Sequence, residues 1–440
     1  MRRYDGSRSV DERLQRVLAT KLEAPMSPDG GHRVIFRTAS GAWLTDLDGN
    51  SYVDFSNGLG SVLLGHNDPR VNEALVMCLQ SRGEVGASPT VEHLHVAEVV
   101  ASQAGGDASV AFYSSGTAAV RAAAEVLRKV TGRRMLLSAG YHGWDPLWHS
   151  GSAPFEPNQL GVMDFFHDLG MFKKALKRYR GDIAGLVLSP DYLYLDAVWY
   201  RTILDTCREE GILVACDDVK LGYRYRPGGS LARVQARADL TVLGKGLANG
   251  HPLACVVGPP ELLEGARDMV ATGLHAVLPF VAARATLAQL SETTPYDNIR
   301  RAGDMFLAQA RQFFASARLP VEIIGDGALF VFVFGSEALE NAFYARSMAH
   351  GLLFFAGDNQ SPSAAFDDGI TDVAIKRLAQ VVDGLTLERP PEGWPAITDD
   401  MRWRVAWRTM EGFPFPHVPA QQRDAWLRDR LGEGTTSSCA

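Results

Sequence analysis

Apolar and polar positions repeat with different periods along this chain, and the period marks the elements. Residues 42–55, AWLTDLDGNSYVDF, alternate apolar and polar about an Asp-Gly-Asn turn. A period of two around such a turn predicts a hairpin. Residues 68–79 open on Asp-Pro and read as a capped helix with proline at its first position. From about residue 90 to 260 helical segments alternate with short, continuously apolar runs. These runs are 110–113, 135–138, 185–188, 212–216, 240–243 and 254–257. Strands without a polar face suit a mostly parallel sheet covered on both sides by crossover helices. The expected class is therefore α/β.

The flanking segments read differently. Residues 1–35 form a polar arm with a short helix at 11–23. Residues 295–385 look α+β, with a helix at 300–318, an apolar strand at 328–335 and a closing helix at 372–385. The tail from 386 is rich in proline and tryptophan, with Trp394, Trp403, Trp407 and Trp426. That is too apolar for disorder and predicts packing on the body or on a partner subunit. The expected divisions are 1–90, 91–294, 295–385 and 386–440.

Composition removes several function classes. With 46% hydrophobic and 22% charged residues the chain is an ordinary globular protein. Its net charge of −7 comes from both signs spread throughout, so no basic block suggests nucleic-acid or membrane binding. Cys78, Cys207, Cys216, Cys255 and Cys439 form no CxxC pair and no metal-ligand cluster, so no metal is expected. An odd cysteine count behind the polar N-terminus MRRYDGSRSVDERLQ predicts reduced thiols in a cytoplasmic protein.

Four places could carry chemistry. Tyr113-Ser114-Ser115-Gly116-Thr117 follows a predicted strand and opens a helix. Free amides and the positive helix end make such a turn an anion site, although Ser-Ser-Gly-Thr alone is equally an ordinary N-cap. Tyr141-His142-Gly143-Trp144 follows another strand, and an aromatic there could stack on a planar ring or simply line a surface loop. Asp217 ends the run ILVAC, where a buried carboxylate needs a partner: a protonated ring nitrogen, Arg224, or a helix amide. Asp218 stands beside it, and strand alternation lets only one of the two point inward. Lys245, in Leu-Gly-Lys-Gly at the mouth of a buried strand, could form a Schiff base, while a lone lysine in a turn is otherwise a solvated one. Together these are the parts that pyridoxal phosphate needs: a phosphate cradle, a ring sandwich, a carboxylate for the pyridine nitrogen and an amine for the aldehyde.

In this order the motifs resemble the class III (omega) aminotransferases, most closely the glutamate-1-semialdehyde aminomutase branch. The resemblance covers residues 39–385 and rests on GAWLTDLDGNSYVDF, LGHNDP, SSGTAAVRAAAEVLRKVTGR, AGYHGW, DDVKLGYR and ADLTVLGKGLANGHPLACVVG. It implies pyridoxal phosphate (PLP) fold type I: a large domain with a mostly parallel seven-stranded sheet, and a smaller α+β domain built from both ends. It implies a homodimer with active sites at the interface. It makes Lys245 the Schiff-base lysine and Asp217 the partner of the pyridine nitrogen. Val219 would lie under the ring, Tyr141 would stack on it beside His142, and Ser115, Gly116 and Thr117 would bind the phosphate.

Four departures bear on the substrate. The strand-end Asp, usually followed by Glu-Val, is here Asp217 followed by Asp218-Val219-Lys220. Ser189-Pro190 stands where the family usually has Glu-Pro. The Gly-Thr-x-Ser-Gly-Asn-Pro loop that reaches the partner's phosphate is replaced by residues 271–279, with Thr272 and His275 as its remaining donors. The aminomutase's Ser-Pro-Val-Arg segment is missing, leaving Arg33 or Arg37 to substitute. The expected enzyme is an aminotransferase acting on an amine or amino-sugar-like substrate and a carbonyl acceptor in specialised biosynthesis. Trp144, Asp218, Ser189 and His275 are candidate substrate contacts, and Glu84, Asp191 and Asp196 could receive a polyamine. The alternatives are an aminomutase, epimerase or deoxygenating elimination on the same scaffold, or a non-catalytic PLP-fold binding protein.

Overall fold

The apolar runs of the middle of the chain become strands of one sheet. In this computed structural model, which describes residues 3–20, 24–84, 86, 88–105, 107–149, 156–271, 273–274, 276–292 and 294–411, the sheet has seven strands. Their order is Ser109–Tyr113, Ala254–Gly258, Leu240–Leu243, Val214–Asp217, Ile183–Leu188, Met135–Ala139 and Val162–Asp164. Ala254–Gly258 is antiparallel to both of its neighbours, and the remaining pairs are parallel. Every other strand therefore delivers its carboxyl end to the same edge. Open α/β sheets bind ligands outside that edge.

The strand Val162–Asp164 has no counterpart among the expected runs, because three residues are too few to show a period. The helix Gly116–Thr131 covers the sheet with a face of small residues. Ala119, Ala122, Ala123 and Ala124 are buried on it together with Val126 and Leu127. Ser115 caps this helix by accepting the Ala118 amide at 3.2 Å.

The described residues fall into two compact units, one within Met1–Pro69 and Glu292–Val405, the other within Arg70–Ser291 and from Ala406 onward. In the first, the expected hairpin forms as Trp43–Asp46 against Ser51–Asp54, extended by Phe36–Ser40 and Leu352–Leu353. Phe55, Phe306, Phe330, Phe332, Phe343 and Phe354 form its core, and Trp394 packs against them. The strand Leu329–Phe334 pairs along its length with Val321–Asp326. The long helices run Thr294–Ser316 and Asp368–Leu387.

The N-terminal helix spans Asp5–Val17, earlier than the expected 11–23. The cause is tertiary. Asp48 accepts the Gly6 and Ser7 amides at 2.7 and 3.0 Å, fixing the helix start from a distant turn. Of the tail's tryptophans, Trp403 and Trp407 are buried, and Trp426 lies outside the described residues. No helix among the described residues is long and apolar enough to cross a membrane.

Candidate active site

Two segments leaving the carboxyl edge meet the side chain of Val219, and a third seats on one of them. A Cβ placed on Gly116 would lie 2.9 Å from Val219 Cγ1 and 3.2 Å from Cγ2. One placed on Gly244 would lie 3.4 Å from the same Cγ1. Val219 thus packs between the Ser115–Thr117 turn and the residue preceding Lys245. A Cβ on Gly143 would collide with the Thr117 hydroxyl, so the aromatic loop also seats on this turn. Only glycine permits either approach, which is why Gly116 and Gly143 stand where they do.

Asp217 and His142 form the polar centre. His142 Nδ1 lies 2.7 Å from Asp217 Oδ2, and both side chains are buried. A carboxylate accepts, so Nδ1 carries the proton in this pair. The Val219 amide donates to Asp217 Oδ1 at 3.3 Å. Asp217's partner is therefore an imidazole from the loop carrying Tyr141, rather than Arg224 or a helix amide. His142 Nε2 is buried and has no partner among the described residues, and the ring rests against Trp148 at 4.7 Å between centroids.

The turn at Ser115–Thr117 opens a helix whose first amides have no intrahelical acceptor. Such a turn takes an anion. Lys245 opens a short 3-10 turn with φ of +44°, a conformation unusual for a residue with a Cβ. Strain of this kind concentrates at functional positions. Tyr141 is 45% exposed, with its amide donating to the Met410 carbonyl at 3.0 Å. Trp144, by contrast, is 75% exposed and stands away from this packing.

Asp218 turns away from His142. Its Oδ1 accepts the Ser230 hydroxyl at 2.7 Å, and its Oδ2 accepts the Ser230 amide. Both acids are buried, so alternation sends them to different sides of a strand covered on each. Burial pushes the Asp218 carboxyl up to about 7, against the Ser230 hydrogen bonds and with the help of Asp217. Ser189 is buried beside Gly140, its amide donating to the Ala139 carbonyl at 2.9 Å. Thr272 and His275 lie outside the described residues.

The three acids expected at the mouth are otherwise employed. Asp191 pairs with Lys220 at 2.9 Å. Asp196 caps a helix through the Trp199 amide at 2.8 Å. Glu84 accepts the Val277 and Leu278 amides at 2.6 and 3.3 Å, at the start of the helix Val277–Leu290. Each therefore already has an internal donor, although Glu84 and Asp196 are exposed. Arg33, a possible carboxylate holder, is paired with Asp11 at 2.5 Å, and Arg37 donates to the Leu47 carbonyl at 2.9 Å.

An anion-accepting turn, an aliphatic platform, a buried carboxylate and a lysine on one sheet edge suit the phosphate, ring, pyridine nitrogen and aldehyde of pyridoxal phosphate. The orphaned Nε2 of His142 marks the same spot as polar and ready for a further partner.

The family model for class III aminotransferases matches residues 26–363. The chain belongs to this family. As a class III aminotransferase it is an enzyme that uses pyridoxal phosphate and acts on a small-molecule amine and a carbonyl acceptor. It is 33% identical over 365 residues to the 2'-deamino-2'-hydroxyneamine transaminase of Streptomyces kanamyceticus, covering 81% of this chain and 92% of that one. It is 29% identical over 388 residues to the glutamate-1-semialdehyde 2,1-aminomutase of Myxococcus xanthus, covering 79% and 88%. Among solved structures, a transaminase with bound PLP superposes with a TM-score of 0.79 at 23% identity, over 88% of this chain and 99% of that one. An omega-transaminase from Sphaerobacter thermophilus gives 0.76 at 21%, over 86% and 97%. The fold is thus PLP fold type I, as the motifs imply.

Sequence reasoning placed His142 beside the cofactor but missed it as the partner of Asp217. The two are 75 positions apart, and no local pattern joins them.

Proposed function

We propose that this aminotransferase moves an amino group between an amine or amino-sugar-like substrate and a carbonyl acceptor, in specialised biosynthesis. The observation that carries the reading is the 33% identity spanning nearly all of a neamine transaminase. Ser189, which stands where the family usually has glutamate, agrees with a substrate other than glutamate semialdehyde.

When bound, pyridoxal phosphate supplies the aldehyde that receives the amino group and the ring that spreads the developing negative charge. Lys245 would hold that aldehyde, and its Nζ would be the base that takes the proton from the donor's amine-bearing carbon. Asp217 would keep a proton on the pyridine nitrogen, with His142 fixing the carboxylate. Val219 would support one face of the ring and Tyr141 the other. Ser115, Gly116 and Thr117 would bind the phosphate, with Thr272 contributing to the same group. Ser189, Trp144 and His275 are left for the substrate side. Asp218, engaged by Ser230, would steady the strand end.

We also propose a homodimer. Val76, Met77 and Leu79 on the helix Pro69–Ser81, and Val91 and Leu94 on the helix Val91–Ala104, are exposed apolar side chains that a second copy would cover. Light scattering during gel filtration would show it as twice the chain mass. A cytoplasmic location agrees with the four described cysteines, all free.

Borohydride should fix the bound cofactor on Lys245, and a screen of amine donors should convert the cofactor to its pyridoxamine form. Normal turnover by Lys245→Ala would sink the scheme. The kinship with aminomutases supports a second reading, isomerisation. Omitting the carbonyl acceptor separates the two: isomerisation continues, and transamination stops after one half-reaction.

A further inference from the structure

The helix Asp399–Glu411 lies beyond the residues matched by the family model, 26–363. Ala406, Trp407, Thr409 and Met410 are buried, Arg408 between them is exposed, and the segment meets the sheet's carboxyl edge through several loops. After the strand Met135–Ala139, the Tyr141 amide donates to the Met410 carbonyl at 3.0 Å. After Val162–Asp164, the Phe166 ring lies 4.7 Å from that of Trp407. After Val214–Asp217, Lys220 Nζ donates to the Thr409 carbonyl at 2.9 Å. The same ammonium pairs at 2.9 Å with Asp191, which follows Ile183–Leu188. These four strands are neighbours in the sheet, so one helical turn gathers the loops of one continuous edge.

The chemistry of the helix end explains the gathering. The last carbonyls of a helix have no intrahelical donor and carry partial negative charge. The Lys220 ammonium and the Tyr141 amide supply the donor and the counter-charge. Phe166 and His167, adjacent residues with φ of +49° and +56°, hold left-handed conformations that non-glycine residues rarely adopt. Phe166 is held there against Trp407, while His167 Nε2 lies 3.3 Å from the Ser189 carbonyl.

Lys220 is bonded directly to Val219, and the carbonyl it holds precedes the one that holds Tyr141. We infer that the 406–410 turn of this C-terminal helix is a wall of the active site, and that Lys220 is a positioning residue which sets the spacing between Val219 and Tyr141 through Thr409 and Met410. The inference rests on the proposed roles of Val219 and Tyr141 at the two faces of the cofactor ring. The helix acts through those residues and takes no part in proton transfer.

The test uses the full chain and pyridoxal 5'-phosphate as the probe. Hydrogen–deuterium exchange is followed in wild-type protein with and without cofactor. Cofactor should slow exchange both in the peptide containing Tyr141 and in the one containing Thr409 and Met410. In parallel, Lys220→Met is combined with Asp191→Asn, so that no buried carboxylate is stranded. Loss of one charge-assisted hydrogen bond should raise the cofactor Kd about tenfold or more. It should also change the visible circular dichroism of the bound ring, and Lys220→Arg should retain the wild-type signal. Protection confined to the Tyr141 peptide overturns this inference alone, as does an unchanged dichroism and Kd in the folded double variant. Wild-type protein that binds no pyridoxal phosphate overturns the functional reading and this inference with it.

Discussion

Replacing His142 with phenylalanine tests the polar centre directly. Phenylalanine keeps a ring of similar size against Trp148 but removes the donor that lies 2.7 Å from Asp217 Oδ2. The remaining contact, the Val219 amide at 3.3 Å, is long. A hydrogen bond to a charged group contributes about 1.5–3 kcal/mol, and the buried carboxylate cannot turn to water instead. The apo-protein should therefore lose about 1.5–3 kcal/mol, a Tm drop of about 3–12 °C for a unit of this size. In the proposed arrangement bound pyridoxal phosphate would give Asp217 a further partner through its ring nitrogen, so cofactor should restore part of the loss. The Tm gain on adding cofactor should then be larger in His142→Phe than in the parent. Thermal melts with and without cofactor measure both quantities. A cycle with Asp217→Asn isolates the pair, and its coupling should match the single loss. A coupling near zero, or an equal cofactor gain in both proteins, would show that His142 does not hold Asp217.

Gly116→Ala should destabilise the protein by about 1–3 kcal/mol, because the new Cβ meets the stiff Val219 side chain. Val219→Ala in the same chain should return part of that loss in urea denaturation, and no rescue would mean the two do not share the space. Asp218 gives a pH signature. Its folded carboxyl sits near 7, above the ordinary 3.8, so between those values the native state keeps a proton that the unfolded chain has lost. Its contribution to stability is present below about pH 4 and falls as pH rises toward 7. Asp218→Asn should gain on the parent between pH 5 and pH 8 in urea denaturation, and a pH-independent difference would refute this.

Much of the candidate site was legible because its parts announce themselves locally. A strand followed by Ser-Ser-Gly-Thr and a run of alanines can be read without knowing what faces it. So can an aspartate and a lysine that end apolar runs. The family motifs then order these parts around one cofactor. What could not be read were the partners. Asp191, Asp196 and Glu84 look like free acids in the sequence, yet each is consumed by a lysine or by helix amides. Asp48 sets the start of a helix more than forty positions away. Arg33 is drawn to Asp11.

The sequence by itself determined six of the sheet's seven strands and the cofactor class, and it named candidates to meet phosphate, ring and aldehyde. Those follow from local period, strand-end position and residue chemistry. Tertiary structure alone decided that Asp217 is held by His142, that Asp218 faces Ser230, and that Lys220 clamps a helix 189 positions downstream. The physical reason is that a buried polar group must find a partner, and the nearest partner in space is set by which loops the fold brings to one edge. Spacing along the chain carries no record of that choice.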